Sequence, residues 1–413
     1  MAQDKDQKTL NVPPLRFPGF TDEWERLPIS YLSDILCGYA FDGNSIVEYE
    51  TPNKLLRGVN ITEGIIRHST DVDRFISGEI SPKLDKYILQ SGDLVLGMDG
   101  SKVGRNSAII SEDDLGSYLV QRVCRLRANP VILSLIFHQV NNPKFHKYVD
   151  NVKTSSAIPH ISQADISKYV VSLSSSTKEN SKITNLLNYI DERISTQNKI
   201  IDNLQSLIKG LNDSFHDNQQ GEAISFDELG HSYSGLSGKS GDDFGQGSPY
   251  ITYLNVFQNN VANKEQIDLV SVDENESQNT ISYGDVLFTL SSETPEETGI
   301  GCVYLGKSGK YYLNSFCLGV RITQSNKVYP PYLAHLVSSS KFRRFVYPLA
   351  QGSTRFNLQK NDFMKKKFIL LPIEKQKEIS KTLDALHDKL SVEFKLLCLY
   401  SKQKAYLLSS MFI

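Results

Sequence analysis

The sequence predicts a mixed α/β (α+β) fold built twice: two pseudo-repeated globular domains, each followed by one long helix. Three observations predict it. Two helical stretches carry heptads in matching register. Five other pairs of segments echo each other in the same order at a nearly constant offset. Within each copy, short Val/Ile/Leu/Tyr runs alternate with Gly, Ser and Asp, as strands do with turns.

The first copy opens on "PISYLSDI" at Pro28, followed by "GVNI" with Asn60. Strands are expected at "DLVLGM" and "YLVQRVCRL". Helices are expected through "NPVILSLIFHQVNNPKFHKYV", each entered at a proline, which fits the first helical turn because its N–H is absent. "ADISKYVVSL" then leads into the long helix. Its apolar residues Ile183, Leu187, Ile190, Ile194, Ile201, Leu204, Ile208, Leu211 and Phe215 alternate by four and three, interrupted only by Gln197. That is an a/d seam, which needs a partner helix to cover it.

The second copy repeats this order: "AISFDELG" at Ala223, "YLNV" with Asn255, "YGDVLF" answering "SGDLVL", "GCVYLG", "YPPYLAHLVSSSKFRRFVYPL" and "NDFMKKKFILL". It ends on a second seam at Ile379, Leu383, Leu386, Leu390, Leu397, Tyr400, Leu407 and Met411, broken at Glu393 and Lys404. Ile183 and Ile379 lie 196 positions apart, as do Gln197 and Glu393, while the five echoes are offset by 192 to 197. The expected divisions are a first domain over 1–177, a central helix over 178–217, a second domain over 218–373 and a C-terminal helix over 374–413.

At 413 residues the chain is long enough for two substantial cores. No apolar run reaches membrane-spanning length, and "MAQDKDQKTLNVPPL" is too polar for a signal peptide. Five cysteines, odd in number and without metal-ligand spacing, suit a reduced cytoplasmic protein.

Net charge is −2, but its distribution is uneven. Arg321, Lys327, Lys341, Arg343, Arg344, Arg355, Lys360, Lys365, Lys366 and Lys367 face Asp362 alone. The first copy has a weaker stripe of Arg122, Arg125, Arg127, Lys144, Lys147, Lys153 and Lys168 against Asp150 and Asp165. Two basic half-domains could neutralise phosphates; an ordinary solvated face reads the same.

Several stretches imitate catalytic motifs. "GLSGKSG" resembles a phosphate loop, but Tyr233 stands where that spacing requires glycine, and "DDFGQGSPY" after it is not helical. "NPKF" at Asn142 resembles an amino-methyltransferase loop without its second proline, and reads better as a helix start. His160 has Asn357 at its counterpart position, which favours a hydrogen-bonding role over catalysis. Asp93 and Asp285, each after a glycine, read as turns into strands rather than metal ligands. No nucleophile–base set emerges, so the chain reads as a binder rather than a catalyst.

Taken together, "VPPLRFPGFTDEW", "GDLVLGMDGSKVGRNSAII", "SSAIPHISQADI", "YSGLSGKSGDDFG", "YITYLNVF", "GDVLFTLSSETPEE", "GSTRFNLQKNDF" and the two heptad helices resemble the specificity subunit of bacterial type I restriction-modification enzymes, over nearly the whole chain. The resemblance implies two target-recognition domains, each reading half of a split, asymmetric double-stranded DNA target. It implies that the helices pair as an antiparallel coiled-coil spacer and bind two methyltransferase subunits. Those partners would hold S-adenosylmethionine and methylate adenine, leaving this chain without a cofactor of its own, and a motor-nuclease subunit would join to cut unmodified DNA. A recognition chain for another modification system and a duplicated coiled-coil adaptor that does not touch DNA remain alternatives.

Base reading requires side chains that reach groove edges, chiefly Arg or Lys to guanine and Asn or Gln to adenine. The polar loop "DGSKVGRN" and its surroundings offer Lys102, Arg105, Asn106 and Arg122. The second copy offers Ser291, Ser292, Thr294 and Arg355, with Lys239 and Lys360 on phosphate.

Overall fold

The structure, a computed structural model, describes residues 11–62, 64–217, 221–306 and 309–413. Part of the polar N-terminal stretch, residues 1–10, lies outside the described residues, as do residues 218–220 at the expected start of the second domain. The chain divides into two compact units, Met1–Gln197 with Leu396–Ile413, and Asn198–Lys395.

The first unit is organised by a four-stranded antiparallel sheet of β1 (Asp34–Cys37), β2 (Leu94–Gly97), β3 (Ser107–Ile109) and β4 (Val123–Arg127), in the order β1-β4-β2-β3. Val123, Cys124 and Leu126 of β4 are buried. Against the sheet lie α1 (Pro130–Val140) and α2 (Pro143–Val152), both begun by an Asn–Pro pair. Asn129 Oδ1 accepts from the Val131 and Ile132 amides and Asn142 Oδ1 from that of Lys144 at 3.0 Å, satisfying first-turn donors that a helix leaves open. "NPKF" is thus a helix cap, as its sequence suggests. Leu94, Leu96, Ile136, Val140, Phe145 and Val149 meet in one core.

The second unit repeats this with β5 (Gly230–Ser234), β6 (Val286–Thr289), β7 (Gly301–Val303) and β8 (Cys317–Ile322), in the order β5-β8-β6-β7 and again antiparallel. Helices Pro330–Ser338 and Ser340–Val346 cover it as α1 and α2 cover the first. The echoed asparagines also act alike. Asn60 and Asn255 are fully buried, and each ties a loop together through its side-chain amide, Asn60 to Arg67 O and Asp73 Oδ1, Asn255 to Asn263 O and Gln266 O.

The predicted long helices are Thr177–Asp217 and Ile373–Ser410. Within the first unit Ile183, Leu187 and Ile190 share a core with Leu407, Leu408, Met411 and Phe412. Asp191 pairs with Lys404 at 2.5 Å and Arg193 lies over the Tyr400 ring, so there the two helices run antiparallel. Burying side chains the size of Leu187 is worth about 1.5–3 kcal/mol each, which is why the seam is not left in water. In the second unit Ile379 and Leu383 enter the main core, with Leu211 and Phe215 packed against it. Of the three seam breaks, Gln197 and Glu393 are buried and Lys404 is half-buried.

Each unit fastens a helix to its globular part with a buried histidine. His138 Nε2 donates to Asn188 Oδ1 at 2.9 Å, and His335 Nε2 to Asp384 Oδ1 at 2.8 Å; Asn188 and Asp384 are again 196 apart. Burial lowers the His138 pKa to about 4, so the ring is neutral at pH 7. Burial opposes ionisation of Asp384, yet hydrogen bonds from His335 and Ser380 hold its carboxyl below the usual carboxylate range.

Candidate nucleic-acid interface

Sheet register brings a loop cluster to the same place in each unit. The amide following β2, Met98 N, donates to Arg122 O at 2.9 Å, and its counterpart Leu290 N donates to Phe316 O at 2.9 Å. The next residues pair outward, Asp99 with His160 and Ser291 with Asn357. The equivalence of His160 and Asn357, read from offset alone, is therefore structural. His160 is bound by Thr154, whose hydroxyl lies 3.0 Å from Nδ1 and whose amide donates to His160 O.

In the first unit Arg122 sits at the tip before β4 with φ +66°, the one non-glycine residue with left-handed backbone among those described. That conformation costs about 1–2 kcal/mol. It is held by the carbonyl bond to Met98 and by an ion pair from Nη1 to Asp99 Oδ2 at 3.0 Å, while 61% of the side chain remains exposed. Lys102 is exposed on the adjoining loop, Arg105 pairs with Asp150 at 2.9 Å, and Asn106 is half-buried, its carbonyl accepting from Gly97 N. The loop is pressed onto α2 at Gly104, where φ is +71° and a Cβ would stand 2.6 Å from Val149 Cγ2, so glycine is required.

In the second unit Ser291 and Ser292 are only 6% and 7% exposed, so their hydroxyls face inward rather than toward a groove. Ser292 Oγ donates to Glu297, and Ser291 Oγ accepts from Arg355 Nε at 2.7 Å. Thr294 and Arg355 are exposed. Phe316 is 57% exposed, and its ring centroid lies 5.9 Å from the Arg355 guanidinium carbon. Lys360 is half-buried at the start of a short helix. Lys239, expected on phosphate, is turned inward against Glu276 at 2.6 Å and Asp243 at 3.9 Å.

Much of the basic stripe is structural. Arg125 is buried and paired with Asp34. Arg127 grips Asp93 with two bonds of 2.6 Å, and Arg321 grips Asp285 at 2.9 and 2.8 Å. Each carboxylate also accepts the backbone amide three residues before it. The turn expected at Asp93 and Asp285 is present, with glycine before each at positive φ, and the carboxylate doubles as the anchor of an arginine. Arg343 donates to the carbonyls of Glu296, Thr298 and Gly299, and burial lowers its pKa. A charge count along the sequence includes such residues because carboxylates distant in sequence cannot be seen there. Phe316, Asp99 and Tyr253, whose hydroxyl donates to Ser291 O at 2.8 Å, were not singled out by sequence. The 194-residue offset from Arg122 would have led to Phe316.

Among the described residues no group of His, Cys, Asp and Glu could hold a metal ion, and no helix is long and apolar enough to cross a membrane.

The family model described as type I restriction modification DNA specificity domain matches residues 21–206 and again 237–397. No curated protein matches the chain in sequence. Among solved structures, the type I restriction-modification system S subunit from M. genitalium is similar at TM-score 0.58 and 16% identity, covering 97% of this chain and 99% of that one. A chain from a structure describing complex assembly and conformational transition of the type I R-M system is similar at TM-score 0.55 and 14% identity, covering 96% and 98%. At these identities the likeness is one of fold.

Proposed function

The chain belongs to the type I restriction-modification DNA specificity family, and on that premise we propose that it is the sequence-reading subunit of a type I restriction-modification complex. It binds a split, asymmetric double-stranded DNA target and directs two methyltransferase subunits to adenines within it. A motor-nuclease subunit joins the same assembly where unmodified DNA is cut. The observation that carries this reading is the repeated loop cluster. One backbone scaffold is used twice, yet it presents Arg122 with Asp99 in one unit and Phe316 with Arg355 in the other. Two readers on one scaffold with different exposed side chains suit two different half-sites.

In this reading residues 1–177 and 218–373 are the recognition domains, and 178–217 with 374–413 form the spacer. A helix of 41 residues rising ~1.5 Å per residue is ~60 Å long, more than one turn of B-DNA. The chain supplies position and sequence choice, while the chemistry and S-adenosylmethionine belong to the methyltransferase. Lys102, Arg105, Asn106, Arg122, Thr294 and Arg355 are the candidates for contact with bases, and Lys360 for contact with phosphate. Ser291 serves as the support of Arg355, and Ser292 ties Glu297 into the same loop.

The test is duplex binding by the chain together with its methyltransferase, measured as salt is raised. Affinity should fall linearly on a log–log plot, with a slope reflecting several phosphate contacts, and specific duplex should outlast random duplex. Binding indifferent to salt and sequence would favour a protein-tethering adaptor.

A further inference from the structure

The second unit contains four arginines, Arg321, Arg343, Arg344 and Arg355. Three are engaged by acidic or carbonyl oxygen: Arg321 by Asp285, Arg343 by three carbonyls, and Arg344 by Asp217 at 3.9 Å. Arg355 differs. Its Nε donates to the neutral Ser291 hydroxyl at 2.7 Å, its guanidinium carbon lies over the Phe316 ring, and its two outer nitrogens hydrogen-bond to no other described residue. Ser291 is itself fixed, being buried, paired with Asn357 in a strand and accepting the Tyr253 hydroxyl on its carbonyl. A long side chain that would otherwise lose rotamer freedom on binding is therefore restrained in advance by two contacts, with no carboxylate paired to it among the described residues and its two outer nitrogens left to donate.

The equivalent position in the first unit shows what the serine does. Asp99 stands where Ser291 stands, and it cancels the charge of the guanidinium it holds, that of Arg122. A serine orients without cancelling. An anchored, exposed, uncompensated guanidinium matches the paired O6 and N7 acceptors that guanine presents in the major groove. A phosphate can accept the same fork but carries no base identity, so the two contacts are told apart by whether a loss is confined to one base pair.

We infer that Arg355 reads one guanine, through two parallel hydrogen bonds, in the half-site recognised by the second unit, with Ser291 and Phe316 as the positioning residues that restrain it. This rests on the reading of the chain as a DNA-sequence reader.

The experiment uses the full chain assembled with its methyltransferase and a panel of duplexes in which each base pair of the target is replaced in turn, with methylation rate as the readout. Arg355→Ala should lose roughly 10- to 100-fold discrimination at a single G·C pair, with the other half-site read as before. Arg355→Lys keeps the charge and lacks the fork. It should lose discrimination at that same pair while keeping the salt dependence of binding, and it remains informative should the alanine variant fail to fold. Ser291→Ala should weaken discrimination at that pair alone. A uniform loss of rate on all duplexes with base preference retained would overturn the inference in favour of a phosphate contact, and unchanged discrimination in both arginine variants would overturn it outright. Absence of any base preference in the wild-type complex is a separate result, and it would remove the reader itself.

Discussion

Replacing Asp93 or Asp285 by alanine should destabilise one unit and spare the other. Each carboxylate is buried and grips an arginine through two bonds, Arg127 in the first unit and Arg321 in the second. Breaking a buried pair from one side costs about 3–5 kcal/mol, because the remaining charge loses its partner. Both arginine side chains are 31% exposed, so water recovers part of that cost, and ~2–3 kcal/mol is expected for Asp93→Ala. Asp285→Ala also strips the buried Tyr233 hydroxyl of its acceptor, adding ~1 kcal/mol. With a urea slope of about 2 kcal/mol per M, the midpoint of the affected unit moves by ~1–1.5 M for Asp93→Ala and ~1.5–2 M for Asp285→Ala. The chain offers a reporter for one unit only, since its single tryptophan, Trp24, is buried in the first unit, edge-on to Phe412. Asp93→Ala should shift the fluorescence transition. Asp285→Ala should leave it in place while part of the far-ultraviolet circular dichroism melts earlier. Equal fluorescence shifts in both variants would refute the assignment of each clamp to its own unit, and a shift below ~0.3 M for Asp93→Ala would refute the clamp as a stabilising feature.

Three further outcomes can be checked. Because burial places the folded His138 pKa at about 4, below its unfolded value near 6.5, the unfolded chain takes up a proton first as pH falls. His138 should leave stability unchanged above that unfolded value and withdraw up to ~3 kcal/mol as pH falls from about 6.5 to about 4, a slope in Trp24-detected urea midpoints that His138→Gln flattens. Inserting one heptad at matched positions in both long helices should lengthen the gap between methylated half-sites and leave both half-sites intact; altered half-sites with an unaltered gap would rule out the spacer role. Lys360→Ala should lower the log–log salt slope of duplex binding by about one, whereas Lys239→Ala, whose charge already meets Glu276, should leave that slope unchanged.

The duplicated architecture was legible because its signals are periodic or local. Heptads mark helices whatever surrounds them, Asn129–Pro130 and Asn142–Pro143 carry their own helix starts, and echoed segments share a core position. Offsets alone also matched His160 with Asn357. The interface was less legible because it depends on partners far apart in sequence. Arg127 looked free to meet phosphate until Asp93 was brought beside it, and Lys239 until Glu276 was. Ser291 and Ser292 looked polar and therefore exposed, yet their hydroxyls organise the loop from beneath. Phe316 escaped notice because an aromatic residue before a strand usually belongs to a core; only the position it shares with Arg122 reveals it as an exposed tip.

The most direct test of the account is base-modification sequencing of DNA from cells that express this chain with its methyltransferase, beside cells that express the methyltransferase alone. The account predicts methylated adenines confined to a split, asymmetric motif and present only with this chain. An assembled complex that leaves no chain-dependent methylation would contradict it.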